Sequence, residues 1–369
     1  MLHRIGLGCI RRCRRRRVSK MIKIGFRDST WARPRADRQR ELPGYHWSPA
    51  RDQCLEDLCM NLAFVSHPSC QQHKMGAHHP ECPERLYAIQ DRMIASGMEM
   101  LVTHYDAPAA SVEQLTRVHD ADYVQGLIDA SPEVDDVLVW VDGDTAMNSH
   151  TLPAALHAAG GAILGVDLVM SEKHHAAFCC VRPPGHHAGR RSAGGFCLFN
   201  NVAVGAAHAM TEHGIERIAI VDFDVHHGNG TEEIFSGDKR VLFCSSFQHP
   251  FYPGCGADTD APNILNLPLP KLTDGAAFRA AVEAAWLPKL DAFAPQLIMI
   301  SAGFDGHAED DMAHFNLREP DYAWITRELH LLARRHAKDR VVSCLEGGYS
   351  LSALGRSVST HVDELIGHG

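Results

Sequence analysis

The apolar run Ile218 to Val221 ends in Asp222-Phe223-Asp224-Val225-His226-His227-Gly228-Asn229-Gly230. The same change, from a short apolar run into glycine-flanked polar residues, recurs along the chain. Ala176 to Val181 leads into Arg182-Pro183-Pro184-Gly185-His186-His187. Leu297 to Ser301 leads into Ala302-Gly303-Phe304-Asp305-Gly306-His307. Val341 to Leu345 leads into Glu346-Gly347-Gly348-Tyr349. Apolar runs of this length predict buried strands, and Leu62 to Val65 and Val241 to Ser245 read the same way. Between them, helical periodicity covers about 152–170, 201–213, 275–293, 321–337 and 351–365, and a polar loop at 73–86 leads into a further helix. Strands alternating with helices predict an α/β fold with a central, mainly parallel sheet covered on both faces. In such sheets ligands sit beyond the carboxyl ends of the strands, where these polar segments fall.

Composition narrows the class. The 369 residues are 45% hydrophobic and 22% charged, enough for a sizeable core. The net charge is −9, but eight of the 36 Lys and Arg lie in the first twenty residues, so 28 basic residues face 45 acidic ones beyond them. That acidic body argues against nucleic-acid binding. The twelve cysteines form no CxxC pair, which indicates reduced thiols and predicts a cytoplasmic protein. No apolar stretch is read as a membrane span, and no membrane partner is expected. Residues 1–59, with the basic run Arg11 to Arg17, are expected to be a disordered extension or the product of an upstream start, with Met21 and Met60 as alternative starts. Residues 60–369 are expected to form one domain, without internal repeat.

The polar segments fit a hydrolytic metal site. In an extended chain, residues two apart share a face, so Asp222, Asp224 and His226 can point one way. Asp224, His226 and Asp305 make a nitrogen and oxygen ligand set for zinc that leaves a position open for water and substrate. One histidine of the 186/187 pair can move a proton. Asp222 and Asn229 suit the role of fixing ring tautomer and orientation. The Tyr349 phenol can bond to an oxygen that gains negative charge.

These motifs, with Gly195-Phe196 and Pro250-Phe251-Tyr252-Pro253-Gly254, resemble the zinc-dependent histone deacetylase superfamily, including its bacterial deacetylase-like and acetylpolyamine-hydrolysing members, from about Asn61 to Leu365. Asn229 resembles the class II side. The resemblance implies an arginase-like three-layer α/β sandwich and hydrolysis of an acyl amide on a lysine side chain, releasing acetate and free amine. It implies one Zn2+ on Asp224, His226 and Asp305, His187 as proton acceptor and donor, His186 as an electrostatic partner supported by Asp222, and Tyr349 polarising the carbonyl. Phe196 and Tyr252 would line a substrate channel, with Gly347 and Gly348 beside it. It also implies K+ at backbone oxygens of Asp222, Asp224 and His226 with Ser245 and Ser246. The expected partner is an acetylated lysine peptide or protein. A small acetylated amine such as an acetylpolyamine is the alternative, and a protein that binds acylated ligands without turnover is a further one. A homo-oligomer is left open. Phe247-Gln248-His249 departs from the family pattern. His78, His79, His174 and His175 read as loop residues, Cys179, Cys180 and Cys197 as unreactive thiols, and Glu309-Asp310-Asp311 as solvated charges.

Overall fold

The apolar runs become the strands of one sheet. The computed structural model describes residues 62–135 and 137–367, so the expectation for residues 1–59 lies outside the described residues. The strands are β1 (Leu62–Ser66), β2 (Val102–Asp106), β3 (Val139–Trp140), β4 (Ala146–Met147), β5 (Ala176–Cys179), β6 (Ile218–Asp222), β7 (Val241–Gln248), β8 (Ile264–Leu269), β9 (Leu297–Ala302) and β10 (Val341–Leu345). Eight form a sheet in the order β2-β1-β5-β10-β9-β6-β7-β8, and every neighbouring pair is parallel. β3 and β4 make a separate small hairpin.

Burial explains which strands the apolar pattern predicts. The central β5, β6, β9 and β10 are buried along their whole length. Parallel strands covered on both faces read as continuous apolar runs. The edge strands β2 (VTHYD) and β8 (ILNLPL) are half-exposed and carry polar residues, and the apolar pattern misses them. Pro268 is tolerated in β8 because an edge strand has an outer side whose N–H groups need no ladder partner.

The helices at Thr151–Met170, Asn201–Glu212, Glu319–His336 and Leu351–Ile366 lie where periodicity predicts them. The helix expected over 275–293 is instead two, Gly275–Ala285 and Leu287–Phe293. Pro288 stands at the start of the second, since a proline ring removes one backbone hydrogen bond and clashes with the preceding turn. The Thr151–Met170 helix corrects another expectation. Among the described residues it alone is long and apolar enough to cross a membrane, but it is largely buried in the fold, as a core helix is.

Register sets up the site. Asp222 at the end of β6 is level with Ser245 in β7 and Ser301 in β9, and Leu345 in β10 is level with Ala302 in β9. The polar residues that follow β6, β9 and β10 therefore leave the sheet at one level and converge.

One buried ion network underlies this edge. The Glu81, Arg85 and Arg182 side chains have no exposed surface. Glu81 accepts from Arg182 Nη2 at 2.5 Å and from Arg85 Nη1 at 3.2 Å. Burial by itself would raise the Glu81 carboxyl, but Arg182 and His73, whose Nε2 lies 3.3 Å from Glu81 Oε2, together outweigh it and hold the group well below its ordinary value of 4.5. Stability from this carboxylate is fully present above that ordinary value and is lost as pH falls toward the depressed one. Glu81→Gln leaves two buried guanidinium groups without an anion and is expected to destabilise the fold by about 3–5 kcal/mol. Urea unfolding at pH 7 measures this, and an unchanged midpoint contradicts it.

Candidate active site

Three ligand atoms meet where β6 and β9 end. His226 Nδ1 lies 3.1 Å from Asp224 Oδ1 and 3.1 Å from Asp305 Oδ2. All three residues are buried, and their ligand atoms lie within 4.8 Å of one another. The unused oxygens are tied down. Gly347 N–H donates to Asp224 Oδ2 at 2.8 Å, and Val225 N–H donates to Asp305 Oδ1 at 3.0 Å. Each carboxylate thus turns one fixed oxygen toward His226. The backbone must come close to do this. A Cβ on Gly303 would sit 1.9 Å from Asp224 Oδ2, and one on Gly347 would sit 2.0 Å from Asp305 Oδ2.

The trio fits zinc. Tetrahedral bonds of about 2.0–2.2 Å place neighbouring ligand atoms roughly 3.3–3.6 Å apart, a few tenths of an ångström beyond the 3.1 Å seen. Its electrostatics call for a cation. Burial disfavours a charged His226 ring, yet the Asp224 and Asp305 carboxylates hold a proton on it, with a pKa raised to about 10. Asp305 is raised to about 6, first by burial and then by the charge of Asp224. Asp224 moves the other way, because His186 and His226 outweigh its burial. Two carboxylates sharing a dry site cannot both ionise cheaply without a positive partner.

The tandem histidines face different partners. His186 Nδ1 is 2.9 Å from Asp222 Oδ2. Burial opposes its charge, but Asp222 and Asp224 outweigh that and raise it well above its ordinary value. His187 Nδ1 is 2.7 Å from Asn229 Oδ1. Burial, reinforced by the neighbouring His186 and His226, lowers it well below its ordinary value. A neutral amide oxygen accepts the Nδ1 proton of His187 and leaves Nε2 as the basic nitrogen.

His187, His226 and Tyr349 share a cavity of about 220 Å³ with Asp144, Gly195, Phe196, Phe251, Tyr252 and Met312. Phe196 meets the Tyr349 ring edge-on at 6.0 Å, and Tyr252 meets His187 edge-on at 5.1 Å. Burial pushes the Tyr349 phenol well above its ordinary value, with Asp305 adding to the effect, so the group stays a neutral donor. Its segment is held from two sides. Asp310 Oδ2 accepts from Tyr349 N–H at 2.6 Å and from Ser350 N–H at 2.8 Å. Arg85 Nε donates to Gly348 O at 2.6 Å, and its guanidinium lies 5.0 Å from the Tyr349 ring centre.

All the side chains expected at the zinc, base and phenol positions therefore converge. Gly347 and Gly348 do not line the cavity; they support Asp224 and accept from Arg85 behind it. Asp310 is not a solvated charge, being 6% exposed and bound to backbone amides. Asp144, which no motif singles out, accepts from Gly195 N–H at 2.9 Å and from the Thr145 hydroxyl at 2.8 Å. His79 is closer to the site than a loop reading implies, meeting Phe196 edge-on at 4.7 Å. His307 is buried beside Glu319 rather than at the trio. Burial raises the Cys197 thiol well above its ordinary value, which suits an unreactive thiol. The hydroxyl of Ser246, at the position expected for potassium, is buried without a hydrogen-bond partner, and the Ser245 hydroxyl lies 2.9 Å from His227 Nδ1.

Known proteins resemble this chain in sequence and fold. The histone deacetylase domain family matches residues 79–365. The chain is 36% identical over 309 residues to chloroplastic histone deacetylase 14 of Arabidopsis thaliana, a match covering 78% of this chain and 73% of that protein. It is 36% identical to polyamine deacetylase HDAC10 of Homo sapiens over 84% of this chain, but that match spans 48% of the relative. Relatives vary in length, and the match to type-2 histone deacetylase 2 of Dictyostelium discoideum spans 20% of that protein. The crystal structure of the HDA15 HD domain superposes with a TM-score of 0.78 at 31% identity, covering 84% of this chain and 89% of that one.

Proposed function

The chain belongs to the histone deacetylase family of zinc-dependent amide hydrolases, with the arginase-like α/β fold, and on that footing we propose that it removes acetyl groups from lysine side chains of peptides or proteins. The observation that carries the substrate reading is the cavity wall. Phe196, Phe251, Tyr252 and Met312 make it apolar, and among the described lining residues Asp144 is the one carboxylate, its Oδ1 accepting from Gly195 and Thr145. An acetyl-lysine side chain is an unbranched alkyl stem leading to a neutral amide, and such a wall suits it. An acetylpolyamine carries further ammonium groups along its chain, and these need free carboxylates if they are desolvated.

Asp224, His226 and Asp305 would hold the zinc, which when bound would supply Lewis acidity to an acyl carbonyl and to water. The chain's own groups do the rest. His187 Nε2 takes a proton from the attacking water and returns it to the departing amine. His186, held charged by Asp222, keeps positive charge beside the reacting carbonyl. The Tyr349 phenol donates to the oxygen that gains negative charge as the carbonyl carbon becomes tetrahedral. The C–N bond breaks, leaving acetate and a free amine. We assign potassium to the backbone at Asp222, Asp224, His226, Ser245 and Ser246, and residues 60–369 to a single catalytic domain.

A second reading, an acetylpolyamine substrate, rests on the similarity to HDAC10. The two separate by kcat/KM on an acetyl-lysine peptide against N-acetylspermidine. The peptide is expected to be favoured by about tenfold or more, the cost of leaving an ammonium poorly paired. Preference for the polyamine overturns the lysine assignment.

A further inference from the structure

A second group of metal-type ligands lies away from the catalytic edge. The Thr151–Met170 and Asn201–Glu212 helices pack against each other. The second helix begins beside the tandem histidines, where Asn200 Nδ2 donates to Ala188 O. It then runs about 18 Å, at 1.5 Å per residue, toward the amino-terminal edge of the sheet. There Asp167 Oδ1 meets His208 Nε2 at 2.8 Å and His213 Nε2 at 2.7 Å. The three ligand atoms lie within 4.8 Å of one another, the same criterion that the catalytic trio meets.

We propose that Asp167, His208 and His213 form a second site for a divalent transition metal, of which zinc is the natural candidate. Two imidazoles and a carboxylate are a donor set that zinc, copper and nickel accept. His208 is oriented for it. Its side chain is 8% exposed and its Nδ1 is buried without a partner, so Nε2 is the ring nitrogen that it directs outward. His213 and Asp167, at 26% and 46% exposure, leave the group open to solvent for entry and for a water as fourth ligand. Without metal, each Nε2 donates its proton to the one carboxylate oxygen. On binding, each neutral ring carries its proton on Nδ1 instead and frees Nε2 for zinc, and the 2.7–2.8 Å contacts widen toward the roughly 3.3–3.6 Å edges of a tetrahedral site. The half-exposed Asp167 side chain has room for that movement. The bound ion ties the two helices together and stabilises the fold by binding the native state alone.

The test uses the full chain with its catalytic zinc in place. Zinc alone is added, loose metal is removed, and bound zinc is counted by elemental analysis alongside thermal unfolding. The wild type is expected to hold a second equivalent and unfold at higher temperature with it. Asp167→Asn and His213→Gln are expected to weaken that equivalent at least about tenfold, a carboxylate or imidazole ligand being replaced by a poor one, while acetate release is unchanged. His213 is partly exposed, so its variant decides the question if the other folds poorly. A wild type that holds one equivalent only, or a second equivalent that persists undiminished in the variants, overturns the proposal.

Discussion

Replacing Asp305 with alanine is expected to strip the protein of catalytic zinc and of deacetylase activity together. The substitution removes one of three convergent ligand atoms and also the acceptor of the Val225 amide. Outer partners of metal ligands are worth about 10–100-fold in affinity, and a direct ligand is expected to exceed that. The remaining pair, Asp224 and His226, sits two residues apart at the end of β6 and keeps its mutual contact of 3.1 Å. The sheet beneath is untouched, so the variant should fold. Asp305→Asn separates charge from shape: its amide oxygen can still accept from Val225, and zinc affinity should fall all the same. Metal analysis with an acetate-release assay reads both outcomes. A variant that keeps zinc and full turnover removes Asp305 from the site.

The second large effect belongs to Tyr349. Tyr349→Phe deletes only the phenol oxygen; the ring keeps its place by Arg85 and Phe196, and Asp310 still receives the backbone N–H. Losing one donor to a developing oxyanion costs about 10²–10³ in kcat. Zinc content and KM are expected to hold, because the phenol matters most once charge has moved onto the oxygen. A kcat within twofold of wild type would mean that another donor serves the carbonyl.

The sequence shows some parts of this molecule plainly and hides others, for physical reasons. The central strands are legible because both faces are covered, which leaves uninterrupted apolar runs such as Ile218 to Val221. The site is legible because chemistry in a parallel sheet gathers at strand ends, and Asp224, Asp305 and Tyr349 each follow one directly. Asp144 follows the apolar run Val137 to Val141 but belongs to no motif; that run yields only the short, partly exposed β3 of the small hairpin, and the fold brings Asp144 to Gly195, 51 residues on. Asp310 stands in an acidic run that looks solvated, and its burial depends on the amides of Tyr349 and Ser350, 39 and 40 residues away. The Arg182, Glu81 and Arg85 network joins segments about a hundred residues apart, again beyond local pattern. Contacts made at long sequence distance by loop residues leave no periodic trace.

The central claim is that one imidazole and two carboxylates hold the catalytic metal. Zinc-edge X-ray absorption on protein loaded with one equivalent tests it most directly. The account predicts a first shell of oxygen with a single imidazole. A sulfur neighbour, or a shell with two or more imidazoles, would contradict it.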